Sequence, residues 1–322
     1  MKSFNTKGPC RPGDHYMVNS PISNFKTLID KNPFISICRP HLYSKSTTLN
    51  ALRRIVEPEY IFLAISFKNY DASYNTDEKA FCDFIRTQLH KAFKLKRTSL
   101  SKASQDVFFS VYDDSKPRPP LSKLIDAMLR MRSESRQRVV LALDDMDAAK
   151  DSETFPHFLG MLSYGLPSRT ATLWGALKCL ILVSVADLKS FTFNTDPRNQ
   201  PKICSAAVPF EHDMSLPPGE ILEMIEEYKD DHRLKFDTPY MSSLLTMYTS
   251  GYPFLVSKLC ALIHDQVGEA GKFADLDASW THEGLIAALK ILDSDPNAPL
   301  YHPLARQFFS GEKLKALLEQ TP

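Results

Sequence analysis

The sequence predicts an α/β fold with a mainly parallel sheet, followed by a region made only of helices. Three observations carry that reading. Short apolar runs recur at residues 34–38 (FISIC), 60–67 (YIFLAISF), 139–143 (VVLAL) and 177–184 (LKCLILVS), hydrophobic at consecutive positions as strands buried on both faces are. The first of them passes through a short loop into Lys45-Ser46 and a stretch with Leu49, Leu52, Ile55 and Val56 at helical spacing. After residue 210 the periodicity becomes helical throughout.

Composition bounds the function classes. The chain has 322 residues, 43% hydrophobic and 24% charged, with a formal net charge of +1. That suits one large core plus a smaller lobe, and gives no whole-molecule drive towards nucleic acid or membrane. The six cysteines are scattered without a C-x-x-C, which favours buried reduced thiols over a disulfide framework. The longest apolar stretch, 177–186, is too short to span a bilayer, and no secretory leader opens the chain, so a cytoplasmic protein without a membrane role is expected.

Residues 1–23 are rich in Gly, Pro, Asn and Ser and read as an arm without regular structure. Within it His15, Tyr16, Met17 and Val18 form an apolar cluster, suited either to packing on the domain surface or to walling a planar ligand. Asn24 is placed to cap a short helix over 25–30 that leads into the strand at 34–38. That strand lies between Asn32-Pro33 and Pro40. Strand, loop, Lys-Ser and helix is the layout in which backbone N–H groups cradle phosphates, a lysine reaches the terminal ones and a hydroxyl holds Mg²⁺. The pattern calls for glycine where Arg39 and Ser44 stand, so a Lys-Ser pair opening an ordinary amphipathic helix is the competing reading.

Helices are expected at 77–93 and 121–131, with the basic segment 91–102 between them; a solvated helix end accounts for that segment better than a nucleic-acid contact does. The run 138–147 (RVVLALDDMD) is a buried strand ending in Asp144-Asp145. Beside a phosphate loop the first acid serves the Mg²⁺ shell and the second orients water; alone, such a turn is as often a loop with a helix cap. Ser184 ends the next strand and could face phosphates; a last strand is expected at 206–210. Helices follow at 217–228, 239–248, 254–266 and 281–292, then a linker at 296–303 and short helices in 304–320. Gly251 and Pro253 separate the second and third of these.

The ordered series of segments FNTKGPCRPGDHYMV, RPHLYSKSTTL, VVLALDDMD, ILVSVADLKSF, TSGYPFLVSKLC and WTHEGLIAALKIL resembles the bacterial AAA-like ATP-binding proteins, relatives of the AAA+ and STAND P-loop NTPases. The second segment corresponds to the Walker A loop and the third to the Walker B strand, both in degenerate form: Ser44 stands for glycine and Asp145 for glutamate. The resemblance implies a three-layer P-loop NTPase sandwich with an all-helical lid over a nucleotide. The boundaries expected are an arm at 1–23, a core at 24–212, a lid at 213–295 and a helical extension at 296–322. It also implies ATP and Mg²⁺ as ligands. Arg39, Tyr43, Ser44, Lys45, Ser46 and Thr47 would cradle phosphate, Ser46 and Asp144 would hold Mg²⁺, and Lys45 and Asp145 would serve hydrolysis. His15, Tyr16, Met17 and Pro253 would line the base.

The function expected is an ATP-binding switch with weak or moderate Mg²⁺-dependent hydrolysis, acting with a protein partner or as a homo-oligomer. Two alternatives stay open: a decayed ATPase serving as a protein-interaction scaffold, and a nucleic-acid-handling ATPase.

Overall fold

The computed structural model describes residues 2–8, 10–17, 23–40, 45–57, 59–94, 101–111, 119–130, 137–163, 177–191, 193, 201–211, 215–267 and 272–294. In chain order the elements are β1 (Ser3–Phe4), β2 (His15–Tyr16), α1 (Ser23–Lys31), β3 (Phe34–Cys38), α2 (Lys45–Val56), β4 (Ile61–Ser66), α3 (Glu78–Lys94), α4 (Lys102–Val111) and α5 (Pro120–Arg130). There follow β5 (Val139–Asp144), α6 (Thr154–Ser163), β6 (Leu177–Ser184), α7 (Ile203–Ala206) and β7 (Val208–Pro209). The chain continues as α8 (Pro218–His232), α9 (Thr238–Thr249), α10 (Pro253–Asp265), α11 (Leu276–Ser279) and α12 (His282–Ser294). Two compact units result. The described residues of one fall within Met1–Ser20, Leu42–Thr47 and Asp213–Pro322, and those of the other within Pro21–His41 and Thr48–His212.

The sheet unit holds five strands in the order β4-β5-β6-β3-β7, every pair parallel. All strands therefore end at one edge, with Ser66 beside Asp144 and Cys38 beside Ser184. Leu63, Ile65, Leu141, Leu143, Leu180 and Leu182 share a face and one core with Phe81, Phe84, Leu124, Phe155 and Phe158 of α3, α5 and α6. The alternate residues, Ile35, Ile37, Phe62, Val140, Ile181 and Val183, are equally buried, and α1 lies against β3 and β6. Both faces are covered, which is why these strands read as unbroken apolar runs.

The structure departs from the sequence reading at one strand and adds two helices in this unit. The strand expected at 206–210 is two residues long, because residues 203–206 wind into α7 and Pro209 has no N–H to give a second neighbour. Helix α4 occupies residues to which the sequence reading assigns no element, with Phe108 fully buried. Helix α6 carries Pro156 and Gly160, which hid it in the sequence. Pro156 stands in the first turn, where a missing N–H costs nothing, and Ser152 Oγ accepts the Phe155 N–H at 3.2 Å.

In the helical unit Ile221, Ile225, Tyr228, Leu245, Tyr252, Leu255, Leu259, Trp280 and Leu285 form the core. Helix α9 is capped by Asp237, whose carboxylate accepts the Tyr240 N–H at 2.9 Å. The arm is not irregular as expected. β1 and β2 pair in parallel, reversed through Gly8 (φ +74°) and Gly13 (φ +90°), and they bury Phe4 and Tyr16 in this same core. Lys2 Nζ adds an ion pair with Glu227. The linker and helices expected within 296–320 lie outside the described residues. Among the described residues no helix is long and apolar enough to cross a membrane.

Candidate functional site

The carboxyl edge of the sheet carries the acidic candidates. Strand β5 is buried along its whole length and delivers Asp144 to that edge with only 6% of its surface exposed. Asp145 then turns the chain in a left-handed conformation, φ 57° and ψ 41°, with its N–H donated to Asp144 Oδ1 at 3.0 Å. A residue with a Cβ adopts this region at a cost, and aspartate is among the few that tolerate it. Ala148 N–H closes the turn onto Asp145 O at 3.1 Å. The third acid, Asp147, drew no role from its sequence context. Its carboxylate accepts Val185 N–H through Oδ2 at 2.7 Å and Ala186 N–H through Oδ1 at 3.1 Å. The D-D-x-D spacing was the only signal, and nothing in it pointed to a neighbouring strand.

Strand β6 lies between β5 and β3. Ser184 at its end is fully buried and donates its hydroxyl to Ala186 O at 2.7 Å, so the hydroxyl is engaged within its own turn rather than offered to a phosphate. Next to it β3 ends at Cys38. Arg39 follows, in the position where the phosphate-loop pattern has its first glycine. Its guanidinium donates to Cys38 O at 2.8 Å and to Phe210 O at 3.1 Å, fastening the ends of β3 and β7.

Tyr43 and Ser44 lie outside the described residues. Lys45 is the first residue of the 12-residue helix α2 and is 6% exposed; Ser46 and Thr47 behind it are half-buried. No acidic residue stands in the first turn of α2, and the basic pair Arg53 and Arg54 stands in its last. An ammonium at the positive end of a helix dipole is disfavoured by roughly 0.3–1 kcal/mol, so this placement suits a site that takes up an anion. Thr47 Oγ1 accepts the Cys10 N–H at 3.2 Å, which ties the arm to the first turn of α2.

The first turn of α2 suits a phosphate-bearing ligand. A buried lysine opening a helix is suited to polyphosphate. Among the described residues no cluster of three or more His, Cys, Asp or Glu could cage an ion. Mg²⁺ needs no such cage, since one or two protein oxygens suffice when phosphate oxygens and water complete the shell.

The residues expected to line the base are placed less uniformly. His15 is half-buried and accepts the Arg11 N–H on Nδ1 at 3.0 Å, and Met17 is half-buried. Tyr16 is 1% exposed and belongs to the core: its ring lies tilted 5.0 Å from that of Phe4, and its hydroxyl donates to Asp231 Oδ2 at 3.0 Å. Pro253 is buried in the first turn of α10, after Gly251 (φ +71°) and the buried Tyr252.

No protein-family model matches the sequence, and no curated protein matches it. Solved structures do. A Walker-type ATPase of Pyrococcus abyssi superposes with a TM-score of 0.60 at 13% identity, over 98% of this chain and 91% of that one. The ORC2 protein of Aeropyrum pernix, solved in ADPNP–ADP complexes, gives 0.54 at 10% identity over 88% of this chain and 71% of that one. The ORC1 protein of the same organism, solved with DNA, gives 0.50 at 10% identity over 88% and 68%. The chain thus has the fold of the AAA+ P-loop NTPases; at these identities the likeness speaks for fold alone.

Proposed function

We propose that the chain is an ATP-binding switch protein with weak or moderate Mg²⁺-dependent hydrolysis. The observation that carries this reading is Lys45: a lysine 6% exposed, opening a helix that has no acid in its first turn and that follows a strand of an ATPase-like sheet. Lys45 holds the β- and γ-phosphates, with Arg39, Tyr43, Ser44 and Thr47 shaping the loop around them. Ser46 and Asp144 hold the metal, and Asp145 orients the attacking water. Bound Mg²⁺ supplies neutralisation of charge on the phosphate oxygens. His15, Met17 and Pro253 meet the base, with Tyr16 as the buried support behind the first two. Residues 213–295 serve as the lid whose state nucleotide sets, and a protein partner or a second copy of the chain reads it.

The test is thermal. A ligand that binds only the folded state stabilises it, by about 2.7 kcal/mol at one hundred times its Kd. Mg²⁺-ATP is expected to raise Tm by several degrees. Lys45→Ala is expected to keep the apo transition and abolish the shift. Equal shifts in the two proteins would refute the assignment.

A further inference from the structure

We propose that Asp147 is a positioning residue that locks the acidic turn after β5 to the turn after β6, and through that to the root of the loop ahead of α2. The lock stands on geometry alone; what it positions rests on the nucleotide reading above.

The bonds run in one unbroken series across the carboxyl edge of the sheet unit. Asp147 takes both Val185 N–H and Ala186 N–H on its two carboxylate oxygens, at 2.7 and 3.1 Å. Ser184 donates its hydroxyl to Ala186 O at 2.7 Å, and Cys38 Sγ lies 3.4 Å from that hydroxyl. Ser184 O accepts the Arg39 N–H at 3.1 Å, and the Arg39 guanidinium reaches on to Phe210 O. Four strand ends, those of β5, β6, β3 and β7, are joined in this way.

A carboxylate that accepts two adjacent N–H groups makes two charge-assisted bonds from one rigid fork. It fixes the turn at 185–186, whose Ala186 amide is otherwise exposed. In return the fork fixes the short 3₁₀ turn Met146–Ala149, directly behind the left-handed Asp145. A non-glycine residue keeps a left-handed backbone only where its surroundings over-determine it. Asp147 supplies that constraint two residues away, and so sets where Asp144 and Asp145 point.

Asparagine at this position keeps the size but not the chemistry. Its amide oxygen can accept one N–H, while its NH₂ then faces the other donor. The experiment compares wild type, Asp147→Asn and Ser184→Ala as full chains. It reads amide exchange at 184–187 without nucleotide, and ATP affinity both with Mg²⁺ and with EDTA. Asp147→Asn is expected to speed exchange at 185–186 at least about tenfold, since protection there is set by local opening. It is expected to weaken Mg²⁺-ATP binding about fivefold or more while leaving ATP affinity in EDTA unchanged. Ser184→Ala is expected to shift the same quantities by less. Unchanged exchange in Asp147→Asn overturns the lock. An equal loss of affinity with and without Mg²⁺ overturns the positioning role, because general loosening of the fold would produce it. If wild type binds no ATP under either condition, the function reading and the positioning role fall together, and the exchange measurement decides the lock by itself.

Discussion

At the scale of single residues, the acidic turn sets the terms. Asp144 is held in place by a buried strand and by the N–H of its successor, whereas Asp145 is held in a backbone conformation that most residues avoid. Asparagine tolerates that conformation about as well as aspartate, so Asp145→Asn isolates the charge from the backbone. The substitution is expected to leave Tm within about 2 °C and to lower ATP hydrolysis at least about tenfold, as loss of a proton-accepting group does. A hydrolysis rate equal to wild type would remove Asp145 from the water. Arg39 shows why residue identity alone misleads. In a phosphate-loop pattern it occupies a glycine position, yet its guanidinium is spent on two backbone carbonyls, a structural task no glycine could perform.

At the scale of elements, the junction between α9 and α10 is a tight point of the helical unit. Gly251 has φ +71°, its carbonyl accepts the Leu216 N–H at 2.8 Å, and a Cβ built there would lie 2.3 Å from Leu216 O. Both the backbone conformation and the space exclude a side chain, and the obstacle is backbone that has no rotamer to yield. Gly251→Ala is expected to destabilise the helical unit by more than about 1–2 kcal/mol, the cost of the left-handed conformation alone. Thermal unfolding followed by circular dichroism checks this; an unchanged transition would mean the α9–α10 turn can relax. The arm illustrates the opposite lesson. Its sequence has no periodicity to announce β1 and β2, yet Phe4 and Tyr16 bring it order by burial among Tyr228 and Trp280.

At the scale of the whole molecule, pH acts through the helical unit. His232 lies 4.4 Å from the Tyr228 ring and 5.5 Å from His264, centroid to centroid. Burial first, then His264, holds its pKa below the usual histidine value, with Asp231 opposing. A histidine depressed in the fold is protonated at higher pH when unfolded, so the unfolded state gains protons first as pH falls. Stability is therefore expected to decrease as pH drops through about 6.5 towards the lowered folded value, and to level off below it. His232→Gln is expected to flatten that dependence in Tm measured between about pH 5 and 8. A parallel slope in the variant would assign the effect to other groups. The six cysteines are all free. Burial pushes Cys82, Cys179 and Cys204 up to about 12, which keeps them protonated across this range.

The sequence by itself determined the sheet and most of the helices, because local periodicity records burial. FISIC, YIFLAISF and VVLAL could be read as strands covered on both faces, and the helices near 218–232, 238–249, 253–265 and 282–294 as amphipathic, from their own residues. It also singled out Lys45, Asp144 and Asp145, whose types and spacing carry chemistry without reference to the fold. Only the tertiary structure decided what depends on contacts between distant segments. Tyr16 is core because Phe4 and Tyr228 pack its ring, while Asp231, 215 positions along the chain, accepts its hydroxyl. Ser184 turns its hydroxyl onto Ala186, where the sequence suggested a phosphate. Asp147, one acid among three in a turn, became a fork for the next strand's turn because parallel pairing brings the ends of β5 and β6 to the same edge. Periodicity reports which face of an element is buried; it holds no information about which polar atoms meet across strands, and those meetings define the candidate site.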